Sequence, residues 1–268
     1  MNIADGQKPN TEELAERPDN LIAGRQAVRE ALAAGAVPDT VLVARGKRDG
    51  MLNELAAKCR VAGAVVKEVD EHKLSSLADN HQGIAAFLCT APYATLAQAL
   101  ALAEQRGEEP LLVICDGLQD PHNLGAVIRS AEAAGAHGVI IPERRAVSLT
   151  AAAVKASAGA AMHLPVVRVT NITETIKQLK TNRFWVFGLD MDGQTWCDTD
   201  LTGPAALVVG AEGDGISRLV RDQCDVLVAL PMTGQISSLN ASVAAGILLF
   251  EALRQRRGLP TKTGKAGK

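Results

Sequence analysis

The chain has 268 residues, of which 47% are hydrophobic and 22% charged, and this composition predicts a globular protein with one large or two small domains. Aromatic residues make up only 3%, which argues against base stacking on aromatic side chains as the main way of binding a nucleic acid. The formal net charge of -2 argues mildly against a dominant non-specific phosphate-binding surface, although basic residues can still be concentrated locally.

The amino-terminal part predicts a polar leader followed by a small α/β unit. Residues 1–18 have no hydrophobic period, which indicates a disordered leader. The stretch "LIAGRQAVREALAAG" has apolar residues at helical spacing and predicts a helix that ends at Gly35. Strands are predicted at 40–44, 64–69 and 83–89, with helical patterns between them. Residues 19–92 are therefore expected to form a compact α/β domain.

A second α/β domain is predicted over residues 111–258, with residues 93–110 as its connector to the first. Short apolar runs alternate there with helical patterns, and these runs are "LLVICD", "GVIIP", "FWVFGLD", "ALVVG" and "VLVAL". Strands that are apolar on both faces are typical of a parallel sheet covered by helices on both sides. Periodicity alone thus predicts an open, doubly wound sheet.

The end of the chain is basic. Between Arg254 and Lys268 there are basic residues and no acidic ones, and 259–268 is expected to be a basic tail. The pattern favours a solvated, disordered tail and leaves an RNA-contacting arm as the alternative.

The cysteines and histidines give no sign of a metal site. Five cysteines stand without CxxC spacing and predict reduced core residues, and five histidines show no ligand-like clustering with them. The sequence begins without a signal-peptide pattern, and no apolar stretch approaches the ~18 residues of a membrane span. We therefore expect a cytoplasmic protein with no metal and no membrane partner.

Three loops after predicted strands hold unusual residues, and ligand sites in parallel sheets form at the carboxyl ends of strands. In the first loop, Asn123 is placed to begin a helix that ends at Gly135, with Arg129 one and a half turns later. The structural alternative makes Asn123 a helix cap and pairs Arg129 with Glu132 three residues on.

The second loop, "GAEGDG", is rich in glycine. Its glycines at 210, 213 and 215 do not fit G-x-G-x-x-G in any frame, which disfavours a Rossmann phosphate loop. They indicate instead a backbone that turns sharply and lets a ligand approach closely. Glu212 directly follows a buried strand and needs polar partners there, unless it is an ordinary solvent-facing acid.

The third loop runs from Leu230 to Asn240 and leads into the last predicted helix. Ser237 or Ser238 can cap this helix, and one of its faces is apolar, with Leu239, Val243, Gly246, Ile247 and Phe250. Taken singly, Ser238 and Asn240 are more often caps than catalytic residues. Three such loops in one domain favour a ligand site.

These loops carry a family resemblance. In order and spacing, "NLGAVIRSAEAAG", "LVVGAEGDGIS" and "LPMTGQISSLNASVAAGILLFE" resemble the three motifs of the SpoU/TrmH family of RNA 2'-O-ribose methyltransferases, over Leu111 to about Arg257. In the first unit, "AGRQAVREAL" and "NHQGIAAF" look like the amino-terminal RNA-binding domain of the RlmB-type members, which methylate a guanosine of bacterial 23S ribosomal RNA.

The resemblance implies a fold and a cofactor. The fold is a carboxy-terminal, trefoil-knotted, parallel-sheet α/β methyltransferase domain with a small amino-terminal L30e-like α/β domain that binds RNA. This knotted fold takes the place of the open, doubly wound sheet predicted from periodicity. General topology rules favour the open sheet, because knots are rare. S-adenosylmethionine is expected in the knot, held mainly by the backbone at Gly210, Leu230 and Leu239. A homodimer through the knotted domain is also implied, and the small, apolar face of the last helix agrees with it.

The family's active-site positions match Asn123, Arg129, Glu212, Ser238 and Asn240. The resemblance implies that Asn240 and Ser238 orient the ribose, that Asn123 shapes the pocket and that Glu212 holds neighbouring polar groups. Arg129 is expected at the target phosphate and the 2'-oxygen. Because a guanidinium stays protonated at neutral pH, stabilising the developing alkoxide fits it better than removing a proton. One departure is Ala241, where relatives usually carry Val; it costs a little packing volume.

Other functions remain open at this point. A different α/β enzyme with a nucleotide cofactor is weakened by the failed glycine fingerprint. A non-catalytic RNA-binding relative is disfavoured by the intact set of active-site positions. Within the family, the substrate could also be tRNA or another ribosomal RNA site.

Overall fold

The computed structural model describes residues 20–46, 49–89, 91–235 and 238–260. The chain forms two compact units, the first ending at Leu88 and the second beginning at Cys89. The predicted leader, most of the basic tail and Ser237 lie outside the described residues. Within those ranges, every helix is too short or too polar to cross a membrane.

The first unit is a mixed four-stranded sheet with three helices. The strand order is β1-β4-β2-β3, with β2 and β3 parallel and β4 antiparallel to both of its neighbours. Its elements are β1 Leu21–Ala23, α1 Arg25–Ala33, β2 Pro38–Ala44, α2 Gly50–Val61, β3 Val65–Val69, α3 Glu71–Ser75 and β4 Ile84–Leu88. The predicted α/β class is confirmed.

One boundary in this unit differs from the prediction. The stretch from Leu21 was expected to be helical throughout, but Leu21–Ala23 is a strand that pairs with β4, with Ile22 opposite Ala86. Gly24 has φ +97 and separates this strand from α1. Because the left-handed region strongly favours glycine, Gly24 is where the chain can change direction.

The second unit is a six-stranded parallel sheet of order β10-β8-β9-β5-β6-β7. Its strands are β5 Leu111–Asp116, β6 Gly138–Pro142, β7 Val166–Val169, β8 Trp185–Thr195, β9 Ala205–Gly210 and β10 Val226–Ala229. Its helices are α4 Leu96–Arg106, α5 Pro121–Ala133, α6 Ala151–Ala156, α7 Ile172–Thr181, α8 Arg218–Arg221 and α9 Ala241–Arg256. The predicted parallel-sheet architecture is confirmed, whereas the knot stays a prediction.

Both faces of this sheet are buried, as the doubly apolar strands predict. Along β5, Val113 and Cys115 pack in a core with α5 and α9, whereas Leu112 and Ile114 pack in a core with α4 and α7. The sheet also brings β9 next to β5, although three other strands lie between them in sequence. The loops after β5, β6 and β9 therefore meet at one edge.

The predicted connector, residues 93–110, packs as part of the second unit. It contains α4, which begins with a capping box between Thr95 and Gln98. Ala99 and Ala103 on this helix are buried, and Ala99 lies in the same core as Ile140. The segment was predicted as a connector because a proline precedes it and a charged break with a glycine and a proline follows it, but its helix packs on the sheet.

Helix α5 packs between α6, which it approaches closely at a glycine, and α9. A β-carbon at Gly125 would lie 2.5 Å from the carbonyl oxygen of Ala153 on α6, so only glycine fits there. On α9, a β-carbon at Gly246 would lie 3.7 Å from Ser130 Oγ of α5. Helix α5 is thus fixed between α6 and α9, and this packing sets the position of Asn123.

Candidate active site

Asn123 lies inside α5 and does not begin it. Asp120 is the N-cap and accepts a hydrogen bond from the His122 backbone at 2.9 Å, and Pro121 occupies the first helical position. Both the start at Asn123 and its role as a cap were therefore wrong predictions. Because Asp120 already satisfies the helix end, the Asn123 side chain is available for other partners.

Asn123 joins two loops through its amide group. Its Nδ2 donates a hydrogen bond to Glu212 Oε1, and its Oδ1 accepts one from Asn240 Nδ2 at 2.9 Å. Since the amide has one donor end and one acceptor end, the carboxylate fixes its orientation. We call Asn123, Glu212, Asn240 and the adjoining Ser242 the amide network.

Asn240 is also the N-cap of α9. Its Oδ1 accepts hydrogen bonds from the Ser242 backbone at 2.9 Å and from Ser242 Oγ at 2.6 Å, and Ser242 Oγ lies 3.5 Å from Asn123 Oδ1. The prediction that Ser238 caps the helix was wrong, because the helix begins only at Ala241. Ser242 was missed, although asparagine side chains commonly accept a hydrogen bond from the backbone two residues on, which here belongs to Ser242.

The loop after β9 presents Glu212 on a tight turn. Ala211 and Gly215 exchange backbone hydrogen bonds of 3.0 and 2.9 Å, and Gly213 at its tip has φ +86. A β-carbon at Gly210 would lie 2.0 Å from the carbonyl carbon of Gly215, so the turn folds directly over Gly210. The predicted sharp turn is present, and Glu212 has the polar partner that it needs in Asn123.

A cavity of about 250 Å³ opens beside this turn. It is lined by five of the predicted site residues, namely Gly210, Glu212, Leu230, Ser238 and Leu239. Aliphatic side chains cover much of the rest, among them Val209, Ile216 and Val228. Three lining residues are acidic, Asp190, Glu212 and Asp214, and none of the described lining residues is basic.

Leu239 contributes to the cavity from outside the last helix. It was expected to start α9, but it precedes the cap Asn240. Two segments that carry cavity residues belong to no helix or strand, namely 230–232 and 238–240. Their backbone groups are therefore not used in the hydrogen bonds of a helix or a sheet. Such segments can offer backbone hydrogen bonds to a ligand.

Arg129 stands apart from the amide network within this chain. It lies six positions after Asn123, which places it about 9 Å further along α5 and about 120° around the helix. Its side chain is exposed, and no hydrogen bond or ion pair joins it to any other described residue, including Glu132. The structure therefore brings together seven of the eight predicted site residues and leaves Arg129 outside.

A side wall of the cavity was not foreseen. The apolar run ending at Asp190 was predicted as a strand, but β8 continues to Thr195, and its pairing with β10 jumps from Gly188 to Gln194. The intervening residues 189–193 bulge outward and carry Met191 and Asp190 to the cavity. A hydrogen bond of 2.7 Å from Arg221 lowers the pKa of Asp190 and keeps it ionised.

The cysteines form no cluster. All five are free, with Cys59 and Cys115 buried and Cys197 exposed, so the prediction of core cysteines does not hold for Cys197. Burial raises the pKa of the Cys115 thiol to about 12, which makes it unreactive. In the part of the chain that the structure describes, no group of three His, Cys, Asp or Glu side chains could hold a metal ion.

Comparison with known proteins identifies the family. Residues 110–250 match the model of the SpoU rRNA Methylase family, and residues 21–94 match that of the RNA 2'-O ribose methyltransferase substrate-binding domain. The chain belongs to the SpoU rRNA Methylase family. All the site residues described above lie within the first match.

Relatives of this SpoU family member are similar over nearly their whole length. A putative TrmH family tRNA/rRNA methyltransferase from Staphylococcus haemolyticus is 42% identical, over 89% of this chain and 96% of that protein. The SpoU methyltransferase AviRb from Streptomyces viridochromogenes, solved with AdoMet, is 30% identical with a TM-score of 0.58, covering 89% and 90%. An AdoMet-bound rRNA methyltransferase from Sinorhizobium meliloti is 28% identical with a TM-score of 0.55, covering 90% and 88%.

For this SpoU family member, the predicted class of enzyme is confirmed. It is an RNA 2'-O-ribose methyltransferase of the SpoU/TrmH family, which uses S-adenosylmethionine as methyl donor. The narrower resemblance to the RlmB-type members stays a prediction, because the relatives are named only as TrmH family tRNA/rRNA methyltransferases.

Proposed function

We propose that this protein transfers a methyl group from S-adenosylmethionine to the ribose 2'-oxygen of a guanosine in bacterial 23S ribosomal RNA. The observation that carries the ribose methylation is the amide network at the rim of an acidic and aliphatic cavity. The choice of a 23S guanosine rests on the resemblance of the first unit to the RlmB-type members. A reactive methyl group inside the cavity would face side chains that are suited to holding a ribose.

The cavity fits the cofactor by its chemistry. S-adenosylmethionine supplies a methyl group that is already activated on a sulfonium, so neither a metal ion nor a covalent nucleophile is required. Three acidic lining residues and no described basic one suit a cationic ligand better than a phosphate, which proteins usually meet with basic side chains or helix amino termini. This difference favours S-adenosylmethionine over a nucleotide cofactor.

The backbone at Gly210, Leu230 and Leu239 would hold the adenosyl part. Gly210 ends β9, and Leu230 directly follows β10. Leu230 and Leu239 bring aliphatic side chains to the same cavity, and the segments that carry them have backbone groups outside helices and strands. An adenine ring between aliphatic groups with backbone hydrogen bonds is a common arrangement in ligand pockets.

The amide network would orient the ribose. Glu212 holds the Asn123 amide, Asn123 in turn holds Asn240, and the cap bonds to Ser242 complete the positioning of Asn240. We assign the ribose contacts to Asn240 and to Ser238, which lines the cavity. Fixing the 2'-oxygen in line with the methyl carbon supplies much of the rate enhancement in such transfers.

Arg129 would act on the RNA and not on the cofactor. It is exposed, lies outside the cavity and has no described partner, so its guanidinium is free to bind a phosphate. We assign it to the target phosphate and to the developing negative charge on the 2'-oxygen. Because Arg129 stands apart from the cavity of its own chain, the second contact requires the dimer proposed below.

We also propose a homodimer through α9. Val243 and Phe250 are 49% and 50% exposed, and Gly246 and Ile247 lie between them on the same face. An exposed apolar stripe is typical of a protein–protein contact. Ser130 packs on Gly246, so Arg129 borders this face. A monomer measured by light scattering at micromolar concentration would contradict the dimer.

Methyl transfer to defined RNAs tests the function. Labelled S-adenosylmethionine is incubated with unmodified 23S ribosomal RNA or with unmodified tRNA, and primer extension maps the modified position. Transfer to a guanosine ribose in 23S RNA is expected, in agreement with a cytoplasmic enzyme. Transfer to tRNA or to another ribosomal RNA site alone would replace the proposed substrate, and RNA binding without any transfer would favour a non-catalytic relative.

A further inference from the structure

Arg145 occupies a strained position in the loop after β6. This loop, residues 143–150, is called the β6 loop. Arg145 has φ +58, in the left-handed region that non-glycine residues rarely adopt, and its side chain is exposed. Such a conformation costs of the order of 1 kcal/mol and persists only where the surroundings enforce it.

The loop after β5 enforces it. Gln119 Nε2 donates hydrogen bonds to the carbonyl oxygen of Arg145 at 2.7 Å and to that of Gly117 at 2.8 Å. The Val147 backbone also donates to the carbonyl oxygen of Leu118 at 2.7 Å. These bonds fix the backbone at Arg145, and the direction in which its side chain leaves the loop is fixed with it.

The β6 loop lies beside the amide network. Gly117 lies between the two, since a β-carbon on it would be 3.8 Å from Ala211 Cβ and 3.9 Å from the carbonyl oxygen of Arg145. Ala211 directly precedes Glu212 in the turn over the cavity. Arg145 is therefore held at the same edge of the sheet as the proposed site of methyl transfer.

The β6 loop carries two arginines, Arg144 and Arg145, whose charges are not paired with a described residue. Among the described residues, neither Arg144 nor Arg145 has a hydrogen bond or ion pair from its guanidinium, and both are exposed. By contrast, Arg221 and Arg254 form ion pairs of 2.7 Å with carboxylates. Although the cavity beyond Gly117 is acidic, the guanidinium groups of Arg144 and Arg145 are exposed and not paired with any described residue, so both are available to an anion.

We propose that Arg145 binds a phosphodiester of the substrate RNA next to the target nucleotide, with Arg144 adding to the local positive charge. The fixed backbone sets the point from which the side chain leaves the loop, and a pair of phosphate oxygens matches the planar donors of the guanidinium. The inference rests on the proposed function, because it assumes that RNA lies across this edge of the sheet. Arg145 positions the RNA and does not touch the reacting atoms.

The chain offers a matched control for the test. Arg183 is also exposed, has φ +64 and has no recorded side-chain partner in the described ranges, but it precedes β8 and so lies at the opposite, amino edge of the parallel sheet. Glycine adopts positive φ without strain, so Arg145→Gly and Arg183→Gly each remove a guanidinium and relax the backbone. Both variants should melt at or slightly above the wild-type temperature.

The primary measurement is filter binding of a 23S RNA transcript at several salt concentrations. Arg145→Gly should raise the Kd about fivefold at moderate salt and lower the slope of log K against log salt by about one, whereas Arg183→Gly should change neither. Arg145→Lys should recover part of the affinity, because it keeps the charge. The affinity for S-adenosylmethionine should stay the same in all three variants.

A second measurement separates this inference from the proposed function. In methyl transfer, Arg145→Gly should raise the KM for RNA severalfold with little change in kcat. Wild-type RNA affinity and salt slope in Arg145→Gly, or equal losses in Arg145→Gly and Arg183→Gly, would overturn the inference. Absence of transfer by the wild-type protein would overturn the proposed function instead, while the binding comparison would still decide whether Arg145 contacts RNA.

Discussion

The two ends of α9 carry polar networks of different kinds. At the carboxyl end, the Arg256 guanidinium donates hydrogen bonds to the carbonyl oxygens of Leu201, Glu109, Pro110 and Gly203. At the amino end, Asn240 lies exposed at the rim of a cavity, and its partners Asn123 and Ser242 are partly exposed. One end uses its polar groups to close the fold, and the other keeps them accessible.

A second set of hydrogen bonds, around Glu251, satisfies further polar groups at the carboxyl end of α9. Glu251 is 5% exposed, and it accepts hydrogen bonds from Arg254 at 2.7 Å and from Gln255 at 2.8 Å. Gln255 in turn donates to the carbonyl oxygen of Thr199 and accepts from the Leu201 backbone. A buried polar group is tolerated when its partners are present, so this end contributes stability and has few groups left for a ligand.

We expect the largest effect from Asn240→Asp, a variant that separates the role of Asn240 as helix cap from its role in the amide network. Asn240→Asp keeps the oxygen that caps α9 but removes the amide donor to Asn123 and puts a second carboxylate near Glu212. We expect kcat/KM for RNA methylation to fall between about 100-fold and 1000-fold, with a melting temperature near that of the wild type. Steady-state kinetics and thermal unfolding measure the two effects.

The control is Asn240→Ala, which removes both roles. It should lose activity to a similar extent and also destabilise the fold by about 1 kcal/mol, the usual cost of a lost N-cap. If Asn240→Asp kept near wild-type kcat/KM, Asn240 would be only a helix cap, and the contrast between the two ends of α9 would disappear.

The next effect concerns Arg129, which has no described partner, in contrast to Arg256. Arg129→Lys keeps a positive charge but replaces the planar donor fork by a point charge. We expect transfer to fall about 100-fold with unchanged affinity for S-adenosylmethionine, measured by calorimetry. Arg183→Lys, at the opposite edge of the sheet, should keep full activity. Wild-type rates in Arg129→Lys would remove it from the phosphate and the 2'-oxygen alike.

At the other end of α9, we expect substitution of Arg256 to lower the stability of the fold and to leave the rate of methyl transfer unchanged. Arg256→Met keeps much of the side-chain length but leaves four carbonyl oxygens without this donor. We expect the free energy of unfolding to fall by about 2 kcal/mol, measured by urea denaturation. At temperatures where the variant is folded, its kcat/KM should equal that of the wild type, and a specific loss of activity would show that the carboxyl end also serves the site.

Some of this organisation was predictable from sequence and some was not. β5 and β9 were predicted because each is a run of residues apolar on both faces. β7 was missed because Arg168 interrupts its short apolar run, whereas β10, which is equally short, is apolar throughout. The adjacency of β5 and β9 depends on pairing between residues far apart in the chain, which local periodicity does not contain.

In the site, too, the residue types could be predicted from sequence, but their arrangement could not. Ser237, Ser238 and Asn240 are all good capping residues, and no local pattern chooses among them; the choice depends on where α9 meets α5. The amide network joins Asn123 to Glu212 and Asn240, so it exists only once three loops have met. In the bulge, Asp190 likewise bonds to Arg221, which is 31 residues away along the chain.

The smallest expected effect is a pH dependence at the carboxyl end of α9. Hydrogen bonds from Arg254 lower the pKa of Glu251 below its ordinary value of 4.5 in the folded protein. The unfolded chain therefore binds the proton first as the pH falls, so Glu251 contributes stability above pH 4.5 and loses it as the pH falls further. In Glu251→Gln this contribution is absent at every pH, so the wild type should be more stable at pH 7 by about 1 kcal/mol. The difference between the two unfolding free energies should shrink as the pH falls below 4.5. If the difference in unfolding free energy between the wild type and Glu251→Gln stayed constant down to pH 3, the charge of Glu251 would contribute nothing to stability. A neutral amide at this position would then serve as well as the ionised carboxylate.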